Sequence, residues 1–214
     1  MGNRMTGEAS ARVVSSRVDG RTARAERTRA AIVEAHLALI GEGDLRPTGE
    51  RIAERAGISL RALWTNFKDM EALFAASGEN LARQTAEAFR PVDPGLPLPQ
   101  RVEAYCAQRA EMLEMLAPCA RAAGVREPFS AQLRQNRVKA IALVREEVDV
   151  LFAQELALAG DEAEQLLQAL TVASTWSAWS MLRDELLLDV AAARGVMART
   201  VTALLIAAIT NGLR

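Results

Sequence analysis

The chain has 214 residues, half of them apolar, a quarter charged and 4% aromatic, enough to bury a core in one large domain or two modules. Its formal net charge is −1, yet residues 1–70 carry 12 Lys and Arg against 9 acids while 71–214 carry 14 against 18, a basic head on an acidic body. Two cysteines with no Cys-x-x-Cys pair and one histidine, His36, argue against a disulfide scaffold and a histidine-built metal site, and no cofactor is expected.

Residues 1–22 lack sustained periodicity, are rich in Ser, Gly and Arg, and read as a flexible basic arm. They offer no apolar core of the kind a signal peptide needs, so a reduced, cytoplasmic protein is expected. Helical spacing begins near Ala23, with Ala30, Val33, Leu37 and Ile40 forming a stripe that ends at Gly41 and Gly43. Thr48 can cap a short helix reaching about Ala56. After Gly57-Ile58, Ser59 can cap a second reaching Phe67, and Asp69 a third reaching about Phe89. Pro91, Pro94, Pro97 and Pro99 crowd the next stretch, so 91–99 is expected to be a connector between modules.

Beyond the connector the spacing is helical again. It predicts a helix from Gln100 that stops at Pro118, a short piece over 119–123, and a long helix from about Ser130 to Ala159. Val138, Ile141, Val144, Val148 and Leu151 share one face of the long helix. A helix capped by Asp161 and running to about Leu188 follows, then a last one over about 190–211. No strand-like alternation occurs, so the fold class expected is all-α, with about nine helices. The last helix sets Ala193, Gly195, Ala198, Ala203, Ala207 and Ala208 among Val196, Val201, Leu204 and Leu205. Such a helix asks for burial on more than one side, and a homodimer through the last two helices meets that economically. The uncharged run Thr200 to Leu213 is too short to cross a bilayer, and no basic amphipathic face is sustained, so no membrane partner is expected.

The stretch from Thr48 to Phe67 carries the function. Two short helices on a tight turn must cross steeply, which asks for a small residue at the crossing, a glycine at the turn and apolar residues at the junction. Ala53, Gly57 and Leu63 satisfy this, with Ile52, Ile58 and Phe67 beside them. Leu60, Arg61, Trp64, Thr65 and Asn66, then Lys68, are left on the outer face, where they can read a groove or bind phosphate. An ordinary helical hairpin with a solvated face is the plainer alternative.

The run Ile52-Ala53-x-x-Ala56-Gly57-Ile58-Ser59-x-x-x-Leu63-Trp64-x-x-Phe67, followed by Glu71-x-Leu73 and preceded by an amphipathic helix, resembles the TetR family of bacterial regulators over about residues 25–75. Over the remainder the likeness concerns only helix number and order. The resemblance implies a helix-turn-helix DNA-binding domain over 23–69, a connecting helix over 70–90, and a ligand-binding and dimerisation domain over 100–214. It implies a homodimer on a palindromic operator in double-stranded DNA, with Ser59–Phe67 in the major groove. Thr48 and Ser59 would cap helices and donate to phosphates, and Trp64 stands where the family usually has a backbone-touching Tyr. Ala62 replaces a frequent Thr, and Met70 replaces a common Lys. The DNA-binding set is therefore Thr48, Ser59, Leu60, Arg61, Ala62, Trp64, Thr65, Asn66 and Lys68, with Arg61 suited to guanine and Asn66 to adenine. The arm, with Arg4, Arg12, Arg17, Arg21 and Arg24, either reaches the adjacent minor groove or does nothing.

The body shows no nucleophile with a base, no paired carboxylates in a cleft and no ligand spacing for a metal, so an enzyme is not expected. Tyr105, Arg109, Met112, Met115, Phe129, Phe152, Trp176 and Trp179 suit a pocket for a small apolar or aromatic effector, with Arg109, Arg121 or Asp184 orienting it. Core and interface packing explains the same residues. Repression released by that effector is the function expected; activation, ligand-independent regulation, or a helical carrier or enzyme are the alternatives.

Overall fold

The computed structural model describes the backbone of residues 6–212 and the side chains of residues 22–210. Ten α-helices follow one another: α1 Thr6–Gly41, α2 Gly49–Arg55, α3 Leu60–Asn66, α4 Met70–Ala88, α5 Leu98–Arg126, α6 Ala131–Leu151, α7 Ala153–Leu158, α8 Ala163–Ala173, α9 Trp176–Ser180 and α10 Val190–Gly212. No strand occurs among the described residues, and the class is all-α. Of the expected arm, 1–5 and the side chains of 1–21 lie outside the described residues, while the backbone from Thr6 is part of α1. The chain divides into two compact units, residues 1–80 and 81–214, and the division falls inside α4.

The first unit buries Ile32, Val33, Ala35, Leu39, Ile52, Ala53, Leu63, Phe67 and Leu73 in one cluster. The stripe that α1 buries differs from the one its spacing suggests. Val33 and Ile40 are buried as expected, but Ala30 is exposed and Leu37 half-buried, and Ile32, His36 and Leu39 complete the buried face instead. His36 Nδ1 lies 2.9 Å from Ser77 Oγ, which ties α1 to α4. α1 closes on Gly43 (φ +96°), where the Gly43 amide donates to Ile40 and the Asp44 amide to Leu39, both at 3.0 Å. That pair of bonds consumes the carbonyls a helix end leaves free.

In the second unit α5, α7 and α8 pack on α10, and α6 packs on α8. Their shared core includes Tyr105, Leu113, Val148, Phe152, Leu170, Trp179, Met197, Val201 and Leu205. Three expected helices come out differently. α5 runs through Pro118 to Arg126 instead of stopping, since burial of Ala117 and Ala122 on either side outweighs the lost amide donor. The helix expected over 130–159 breaks at Phe152 (φ −110°, ψ +25°), whose side chain is wholly buried. The helix expected over 162–188 falls into α8, α9 and a π turn over Met181–Glu185. There Thr171, Ser174 and Thr175 hydroxyls donate back to the carbonyls of Leu167, Leu170 and Val172, at 2.7–2.9 Å, which weakens the ladder. Arg109 Nε then takes the Ser174 carbonyl at 2.9 Å. Asp161 lies in a 3-10 turn and does not cap α8.

Candidate nucleic-acid interface

The α2–turn–α3 element is built from its caps inward. Thr48 is extended, and its hydroxyl accepts the Arg51 amide at 3.4 Å; Ser59 does the same for Ala62 at 3.2 Å. Between them Gly57 takes φ +67°. Its amide donates to Glu54 and that of Ile58 to Ala53, both at 3.0 Å, so the turn satisfies the end of α2 with its own backbone. A side chain at Gly57 would be strained in that conformation. Ala53, Leu63 and Phe67 are buried beneath the crossing, and Ile52 anchors it to α1.

Ion pairs hold α2 to the end of α1: Arg55 grips Glu42 through two bonds of 2.9 and 2.5 Å, and Arg51 pairs with Asp44. The Arg55 bond holds the Glu42 carboxyl below its ordinary range. At the far end of α3, Arg29 stacks 4.1 Å above the Phe67 ring and donates to the Asn66 carbonyl. Arg29 is thus a clamp on α3 that periodicity could not reveal, because its partner lies 37 residues away.

The outer face of α3 is uneven. Arg61 and Thr65 are exposed, and Arg61 makes no ion pair or side-chain hydrogen bond among the described residues. Thr65 Oγ1 donates to the Arg61 carbonyl at 2.8 Å. Asn66 is half-buried, and its amide nitrogen donates to the Ala62 carbonyl at 2.8 Å, which leaves its oxygen and one N–H. Ala62 is half-buried. Lys68 is exposed and lies 3.8 Å from Asp69, which caps α4 through the Ala72 amide at 2.8 Å. Leu60 and Trp64 are 36% and 38% exposed, because each lies partly over Gly49 at the start of α2.

The effector residues do not gather in one place. Tyr105, Phe152 and Trp179 are core, the first two edge-to-face at 5.5 Å. Met112 is buried, Met115 is exposed, and Phe129 is 90% exposed on the 3-10 turn before α6. Arg109 is buried between the Ser174 carbonyl and Glu147, 3.3 Å away. Burial pushes the Glu147 carboxyl up in spite of that arginine. Burial likewise raises the Tyr105 phenol, against the opposing pull of Arg109 and of a hydrogen bond with Ser174, and Gln108 Nε2 has no hydrogen-bond partner among the described residues. Arg121 and Asp184 pair with each other at 2.7 Å, and Arg121 lies 5.5 Å over Trp176. Glu114 receives Trp179 Nε1 at 2.8 Å and Arg183 Nε at 2.9 Å, and the latter bond chiefly lowers its acidity range. No three metal-ligating side chains cluster among the described residues, and burial raises the thiols of Cys106, to about 12, and Cys119.

No protein-family model and no curated protein matches the chain. Among solved structures, a transcriptional regulator from Rhodococcus sp. Rha1 superposes with a TM-score of 0.62, over 86% of this chain and 97% of that chain, at 19% identity. The chain therefore has the all-α fold of a solved transcriptional regulator.

Proposed function

We propose that the chain is a TetR-type transcriptional regulator that binds a palindromic operator as a homodimer and acts as a repressor released by a small apolar or aromatic effector. One observation carries the DNA-binding part. α3 is set on α2 by a self-satisfied glycine turn, and the Arg61 side chain stands exposed on it with no partner among the described residues. An arginine that spends none of its five donors internally is available to a guanine edge or a phosphate. The fold shared with a solved regulator supports the reading, as does the basic balance of residues 1–70.

Support for dimerisation comes from α10. It buries Ala193, Met197, Val201, Leu205 and Ala208 against its own unit and leaves Gly195, Val196, Ala203 and Ile206 exposed on the far side. Val172 is exposed on α8. By length and hydropathy Val190–Thr210 would also suit a membrane span. A protein partner accounts better for it, since one side is core and Arg194 lies 3.7 Å from Glu103 on α5. A cytoplasmic location belongs to the same proposal. The effector part rests on the buried Gln108 amide nitrogen, which has no hydrogen-bond partner among the described residues, since an orphan polar group costs about 1–3 kcal/mol unless something satisfies it.

Selection of duplexes from a random pool, followed by titration of the enriched duplex against a scrambled one, tests the reading. The wild-type chain is expected to prefer the enriched duplex, and Arg61→Ala with Asn66→Ala to lose that preference, at about 1–3 kcal/mol per base contact. Full selectivity in the double variant refutes the assignment of α3 as the reading helix.

A further inference from the structure

Gly49 opens α2, and nothing in its backbone demands a glycine there, for its φ is not positive. The reason is steric. A Cβ built there would lie 2.6 Å from Trp64 Cζ2, 3.2 Å from Leu60 Cδ1 and 3.4 Å from Trp64 Cε2. Leu60 and Trp64 are one turn apart on α3, so a single missing side chain on α2 forms the notch in which both rest. Cε2 is the ring atom bonded to Nε1, so the edge of the indole that carries its donor is the edge set against the notch. Nε1 has no hydrogen-bond partner among the described residues, and Trp64 keeps 38% of its surface exposed.

From this geometry we infer that Gly49 is a positioning residue for DNA binding: it fixes the height at which the Trp64 indole N–H meets the duplex backbone. This rests on the DNA-binding reading above. A methyl group at 49 must displace the ring by about 1 Å to restore ordinary contact. Hydrogen bonds keep their strength only within about half an ångström, so the donor would miss its acceptor. The fold would tolerate the change, because the ring is half-exposed and free to swing outward, and alanine favours a helix more than glycine.

The experiment uses the full chain and the duplex enriched by the wild type, read by fluorescence anisotropy, with thermal melting and the indole N–H resonances recorded beside it. Gly49→Ala is expected to weaken binding about tenfold, the value of one hydrogen bond to a charged group, with melting temperature maintained and the Trp64 resonance shifted. In a Trp64→Leu background the same substitution should cost nothing further, since the residue it acts through is gone. Unchanged affinity in Gly49→Ala, or losses that simply multiply in the double variant, would overturn the inference. If the wild type enriches no duplex while the Trp64 resonance still moves, the notch stands as geometry. The DNA-binding reading then falls, and the positioning role falls with it.

Discussion

At the residue scale, small groups control this interface. The Ser59 hydroxyl accepts an amide that the start of α3 would otherwise leave without a partner. Ser59→Ala is expected to cost about 1 kcal/mol, seen as a lower melting temperature for the first unit, whereas Ser59→Asp should preserve it. Thr48, Ser59, Gly57 and Leu63 were legible as caps, turn and packing residue, because capping and left-handed turns are local demands that a sequence states directly. Gly49 and Arg29 were not. Each matters through a residue on another helix, Trp64 for the one and Phe67 for the other, and neither contact follows from spacing along the chain. On the outward face Asn66 spends a donor on Ala62, while Arg61 spends none among the described residues.

At the element scale, Pro118 shows how far packing overrides local rules. It removes the amide that would bond the Glu114 carbonyl, yet α5 continues for eight residues beyond it. Pro118→Ala should return that bond and raise stability by about 1–3 kcal/mol, as calorimetry on the full chain would register. An unchanged or lowered melting temperature would mean that the helix depends on a local bend there. The π turn after α9 is the converse case. Its five-residue bond, from the Leu186 amide to the Met181 carbonyl at 2.9 Å, changes the register between α9 and Arg183. Trp179 and Arg183 both converge on Glu114, a carboxylate on α5 that no reading of the α9 segment alone could supply.

At the scale of the whole molecule, acidity and assembly give two further tests. Glu114 and Asp184 are held below their ordinary values of 4.5 and 3.8 by Arg183 and Arg121 respectively. Their contribution to stability is present above the unfolded values and is lost as pH falls through the folded ones. Glu147 runs the other way. Its folded value is raised, so the native state holds the extra proton, and stability declines as pH rises from 4.5 through that window. Glu147→Gln removes this opposing contribution, and its melting temperature should fall more steeply than the wild type's between pH 7 and pH 4. An identical slope would show that burial does not raise this carboxyl. For assembly, Ile206→Arg places a charge on the exposed side of α10. On the proposed reading it converts a dimer to a monomer in sedimentation equilibrium, whereas a chain that stays dimeric would place the interface elsewhere.

The sequence by itself determined the all-α class, most helix starts, and a helix-turn-helix between Thr48 and Phe67, because periodicity, caps and glycine turns act over a few residues. The tertiary structure alone decided where helices break at Phe152 and Ser174, and which charges are paired. It also decided that Phe129 lies exposed while Tyr105 is core. Those outcomes depend on side chains 40 to 70 positions apart competing for the same buried space and the same donors. Arg109, for instance, reaches Ser174 across 65 residues. A linear pattern cannot rank such competitors.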